Sequence, residues 1–269
     1  MDHLRTDLAP LSAAAWEQVK EEATRTLRTY LAGRALVDVE GPHGWEYSSR
    51  SLGRVRPVSG GLPDGVEAAT RVVRPALELR TPFTLDLAEL DTIDRGAPDP
   101  DLSAVTDAAR NAALAEDSAI FSGFAAGGII GITEASSHDP IPLSTDYDTY
   151  PKAVAQAVAA LRAAGIGGPY GLALGPRCYT GVIETTEHGG YPLLEHLKLI
   201  LGGPVVWAPA VDGAVVLSMR GGDYALELGS DLSIGYTSHD SSSVRLYLEE
   251  SFTFNVLEER AAVALTYQD

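Results

Sequence analysis

Six histidines, one cysteine and several acidic clusters are the residues of this chain with the reactivity for catalysis or metal binding. A hydrolase would need a base held against a nucleophile. His188 and His196 are the closest histidine pair, about two helical turns apart if both were helical. Gly189, Gly190 and Pro192 lie between them and break any such helix. No HExxH, GxSxG or CxxC pattern occurs. His138-Asp139 and His239-Asp240 read as loop pairs beside serines. Asp86, Glu89, Asp91 and Asp94 lack the glycine and terminal glutamate of a calcium loop and read as a solvated face. Gly123, Gly127, Gly128 and Gly131 have neither GxGxxG spacing nor a phosphate-binding lysine. Cys178 reads as buried filler. The expectation is no catalytic residue, no metal and no cofactor.

Composition narrows the classes further. The chain has 269 residues, 45% of them apolar, enough for one large domain or two small ones. No apolar run approaches the ~18 residues of a membrane span, and the first residues lack the apolar core of a secretory signal. A single cysteine suits a reducing cytoplasm. The net charge of −17 argues against nucleic acid as a general partner.

The elements follow from period and punctuation. Ser12 is placed to cap a helix over 13–31, with Trp16, Val19, Ala23, Leu27, Tyr30 and Leu31 at three- and four-residue steps and Gly33 as its stop. This apolar face is core, or in part a groove for a peptide. Leu36, Val37 and Val39 suggest a short strand. Residues 46–79 read as a long two-stranded excursion turning at Gly60–Gly65, marginal alone and in need of an outside surface. An alanine-rich helix is expected over 102–121, a short strand at Ile129–Ile132 and a polar loop over 134–148. Further helices are expected at 152–164, 179–183 and 193–201, with strands at 170–174, 204–209 and 214–219. In 219–254, Tyr224, Leu226 and Leu228 alternate as in a half-buried strand, and Val244, Leu246 and Leu248 mark another. Residues 263–267 add a last strand. The class is mixed α+β.

Several short motifs, in order and at consistent spacing, carry a resemblance. They include Leu8-Ala9-Pro10, Gly41-Pro42-His43-Gly44-Trp45-Glu46-Tyr47, Trp207-Ala208-Pro209, Arg220-Gly221-Gly222-Asp223-Tyr224, Leu228 to Tyr236 and Leu248-Glu249-Glu250-Ser251-Phe252-Thr253-Phe254. Together the chain resembles the encapsulin shell proteins, a family also described as linocin-type bacteriocins.

The resemblance implies the fold of tailed-phage major capsid proteins. It divides the chain into a peripheral domain (1–45, 80–134 and 222–269), an extended loop (46–79) that pairs with a neighbouring subunit, and an axial domain (135–221). It implies self-assembly into an icosahedral cytoplasmic nanocompartment of about 60 subunits. The enclosed cargo would be an enzyme such as a dye-decolorising peroxidase or a ferritin-like protein, held by a C-terminal targeting peptide. By position, Leu27, Tyr30, Leu31, Arg34, Asp38, Asp231, Leu232 and Ile234 would bind that peptide. Thr186, Glu187, His188, Gly189, Gly190 and Tyr191 would form the fivefold-pore loop, with two glycines where related loops have one. Ala88 stands where some members place a flavin-binding tryptophan, so no flavin is expected. A secreted bacteriocin or peptidase, and a phage capsid protein proper, are the other readings.

Overall fold

In the computed structural model, residues 3–186 and 190–267 are described. The N-terminal arm makes one 3-10 turn at Thr6–Leu8. The Ser12 hydroxyl then accepts the N–H of Ala15 and opens α1 (Ala13–Tyr30), which buries Ala15, Val19 and Ala23. The helix stops before Gly33, so that glycine is not its cap. A Cβ at Gly33 would lie 2.7 Å from Ile120 Cδ1 and 3.0 Å from Asp117 Oδ1. Glycine is needed there for close packing, not for a turn. Strand β1 (Asp38–Glu40) follows, starting beyond Leu36, which sits in the preceding 3-10 turn.

The excursion is a hairpin of β2 (Ser49–Val58) and β3 (Ala68–Pro75). Every residue from Gly53 to Arg71 is exposed. After β4 (Leu77–Asp86), the carboxylates expected as a plain solvated face lie on and beside a helix, α2 (Leu87–Asp94). Leu90 and Ile93, three apart, supply its buried side, and Asp86 caps it by accepting the Ala88 N–H. The long helix is α3 (Ser103–Phe121). No strand forms at Ile129–Ile132; Phe124 and Ile129 make an isolated bridge, and α4 (Ile132–Ala135) takes over. The expected loop over 134–148 contains a strand, β5 (Ile141–Leu143).

The next elements match the sequence pattern to within a few residues. They are α5 (Tyr150–Ala163), β6 (Tyr170–Leu174), α6 (Pro176–Glu184), α7 (Leu193–Leu201), β7 (Val205–Trp207) and β8 (Ala214–Ser218). Then come β9 (Tyr224–Leu228), β10 (Ser233–His239), β11 (Ser243–Val256) and β12 (Ala262–Tyr267). Strand β9 is buried on both faces, not half-buried.

Strand β11 organises the first sheet. Its N-terminal half lies between β10 and β4, and its C-terminal end pairs with β9, which carries β1 in parallel. The second sheet runs β5-β12-β8-β6-β7. Strand β12, grouped by sequence with the peripheral body, therefore belongs to the sheet of 135–221. Its apolar residues Val263 and Leu265 complete that sheet between β8 and β5.

Two buried clusters result. One joins α1, α2, the first turns of α3, β4, β10 and the start of β11. The other joins the second sheet, β9, the end of β11, α5, α6, α7 and the last turn of α3. As β11 does through Leu246 and Phe254, helix α3 serves both, through Val105, Ala108 and Ala109 at one end and Ile120 and Phe121 at the other. Its alanines let neighbouring helices approach closely.

Candidate functional site

The N-terminal arm crosses the outer strand of the first sheet, where the Tyr236 N–H donates to the Leu4 carbonyl at 2.8 Å. Between arm, α1 and β10 a groove of about 380 Å³ opens. Leu27 forms one wall, Leu232 and Ile234 the other, and Leu248, paired with Ile234, the floor. Lys20 and Leu4 border it. The aliphatic side chains Leu27, Leu232, Ile234 and Leu248 stand among the polar Thr6, Lys20, Thr24 and Ser233, a mixed lining that suits an extended peptide with spaced aliphatic side chains. Leu4, Lys20 and Leu248 were not among the residues expected to bind the peptide. The apolar residue after Met1-Asp2-His3 was the available signal, but nothing local says that the arm folds back onto β10.

Five of the eight proposed peptide residues lie elsewhere. The Tyr30 ring packs on Trp207 with centroids 5.2 Å apart. Leu31 is the half-buried C-cap of α1. Asp38 accepts the Gly222 N–H at 2.6 Å and braces that turn. Arg34 and Asp231 form an ion pair at 2.7 Å beside the groove.

Arg34 is the centre of a larger node. Its guanidinium donates to Glu116 at 2.8 and 2.5 Å and reaches Glu250 at 3.3 Å. Glu116 and Glu250 are fully buried. Burial opposes the Arg34 charge, yet Glu116 and then Asp231 hold it more firmly protonated than usual. Burial, reinforced by neighbouring Glu116, pushes the Glu250 carboxyl well above the ordinary range. Adjacent Asp117 is pushed up to about 7 by burial, although the N–H groups of Gly33 and Ala32 donate to it. The arrangement fixes the α1–β1 connection onto α3 and β11.

The loop before α7 is closed at its base by a bridge between Thr186 and Pro192. Gly190 and Tyr191 are exposed. Glu187, His188 and Gly189 lie outside the described residues.

Of the groups weighed for catalysis, His138, His239 and Cys178 are engaged in structural contacts. His138 Nε2 meets the Arg260 carbonyl at 3.0 Å, and His239 Nδ1 meets the Tyr236 hydroxyl at 2.6 Å. Cys178 is buried 3.3 Å from the hydroxyls of Tyr150 and Tyr267. Among the described residues, no group of three or more His, Cys, Asp or Glu is placed to hold a metal ion. No helix there is long and apolar enough to cross a membrane.

Comparison with known proteins follows the same lines. The computed fold is similar to that of the virus-like particle of Pyrococcus furiosus, with a TM-score of 0.65 at 19% identity over 92% of this chain and 98% of that one. It is also similar to the capsid of Myoviridae phage XM1, with a TM-score of 0.55 at 11% identity over 86% and 90% of the two chains. The fold is thus the α+β fold of tailed-phage capsid proteins. The type 1 encapsulin shell protein of Rhodococcus erythropolis is 49% identical over 98% of this chain and the whole of its own length. The family profile described as encapsulating protein for peroxidase matches residues 1–253, and the chain accordingly belongs to the encapsulin shell proteins.

Proposed function

We propose that this chain closes with about 60 copies of itself into an icosahedral cytoplasmic compartment that holds a cargo enzyme. The observation that carries the reading is the β2–β3 hairpin, whose distal part is exposed on both faces and left uncovered by the rest of the described residues. A two-stranded ribbon of this length is marginal in water, so a neighbouring copy supplies its partner surface. The division into peripheral body, extended loop and axial domain goes with this, with 262–267 moved to the axial part by its pairing.

The cargo peptide would lie in the groove walled by Leu27, Leu232 and Ile234, and the family description favours a peroxidase as cargo. Tyr30, Leu31, Arg34, Asp38 and Asp231 would then support the groove rather than line it. The exposed Gly190-Tyr191 end of the loop before α7 would face a fivefold pore. Electron microscopy of the chain expressed without any partner gene tests the assembly. Uniform hollow spheres are expected, and monomers under all salt and pH conditions would overturn it. Loading of a fluorescent protein bearing the C-terminal segment of a co-occurring peroxidase tests the groove.

A further inference from the structure

The hairpin is charged against the rest of the molecule. Residues 50–74 hold five arginines and two acids, a net +3 within a chain of −17. Arg50 and Arg74 anchor the base, to Glu227 and to Asn255 with the Gly128 carbonyl. Arg54, Arg56 and Arg71 are exposed and have no carboxylate partner within the described chain. Arg54 and Arg56 stand on one face of the ribbon, about 7 Å apart along the strand, opposite Val72 and Thr70.

The complementary surface lies on the body. Residues 86–107 contain seven acids and one arginine. Where this segment meets α1, a polar groove of about 740 Å³ is lined by Glu21, Glu22, Asp99 and Asp101. Its one cationic residue, Arg25, is already paired with Glu22.

Resting on the assembly reading above, we infer that the arginine face of the hairpin docks into the acidic groove between α1 and the α2–α3 connection of a second copy. Opposite charges on the two patches steer the encounter and set its register, while the exposed Val58, on the same face as Arg54 and Arg56, contributes apolar area. Like-charged body surfaces repel one another, so this pairing also suppresses misdocked contacts.

Charge reversal within one chain tests this. Arg54→Glu with Arg56→Glu should abolish shells, and so should Glu21→Arg with Asp99→Arg, each with unaltered circular dichroism and melting of the subunit. The four substitutions combined restore opposite charges and should return shells to within about twofold of the wild-type yield. Normal shells from either double variant would overturn the inference. So would failure of the folded quadruple variant to assemble. A wild-type chain that never forms particles would instead strike the assembly reading itself.

Discussion

Arg34 offers one positive charge to Glu116, Glu250 and Asp231. Two carboxylates side by side in a dry site do not both ionise readily, and the Glu250 carboxyl is pushed toward its protonated form, by burial first and by Glu116 second. Glu250 and Asp117 thus hold protons in the fold that the unfolded chain releases between the ordinary carboxylate range and their raised values. Their contribution is most favourable below that range and declines as pH rises toward 7 and beyond. Glu250→Gln stays neutral at all pH. It should raise the melting temperature at pH 8 while leaving that at pH 5 within about 2 °C of wild type. Parallel pH profiles for the two proteins would remove Glu250 from this account. Arg34→Glu, by contrast, would gather four carboxyls in one place, and loss of the folded chain is expected rather than a selective loss of cargo. Leu232→Asp probes the groove more cleanly. Shells should form at wild-type yield while capture of the tagged fluorescent protein drops about tenfold. None of the Arg34 chemistry was legible locally, because its carboxylates lie 82, 197 and 216 residues away.

Individual elements were legible where one period ran without interruption. Trp16 to Leu31 and the alanines of α3 gave their helices within a residue or two. Helix α2 was hidden because its three acids and the capping Asp86 outnumber the two residues, Leu90 and Ile93, that bury it. Strand β10 was hidden because Gly235 interrupts its alternation. A Cβ there would stand 2.2 Å from Tyr247 Cζ, so the glycine serves the ring on β11 rather than the strand itself. The hairpin was legible as an element with no partner, and its tip contributes to neither buried cluster. Deletion of residues 56–70 should therefore leave subunit melting unchanged while particles give way to smaller species on size exclusion. Intact shells from the deletion would mean that closure rests on other contacts.

Across the molecule, α3 and β11 join the two cores into one cooperative unit. Ile120 lies wholly within the second core, on the helix whose other end fills the first. Ile120→Ala should cost about 2–4 kcal/mol and lower the urea midpoint of the dissociated chain equally at two reporters. Those reporters are Trp16, packed on the first core, and Trp207, on β7 of the second sheet. Separate midpoints in single-tryptophan versions would show the cores to be independent. The capsid-like fold was legible only through the ordered motifs taken together. Composition and period reach α+β and no further, because sheet order depends on partners distant along the chain.

The placement of β11 and β12 sets the timing of biosynthesis. The inner strand of the first sheet and a central strand of the second both come from the last 27 residues, with Leu246 pairing to Phe83 and Ala264 to Val215. A growing chain that lacks them can finish neither sheet, so both sheets wait for the same late segment. The hairpin, built from residues 49–75, is therefore made well before the body that a neighbouring copy would offer it is finished.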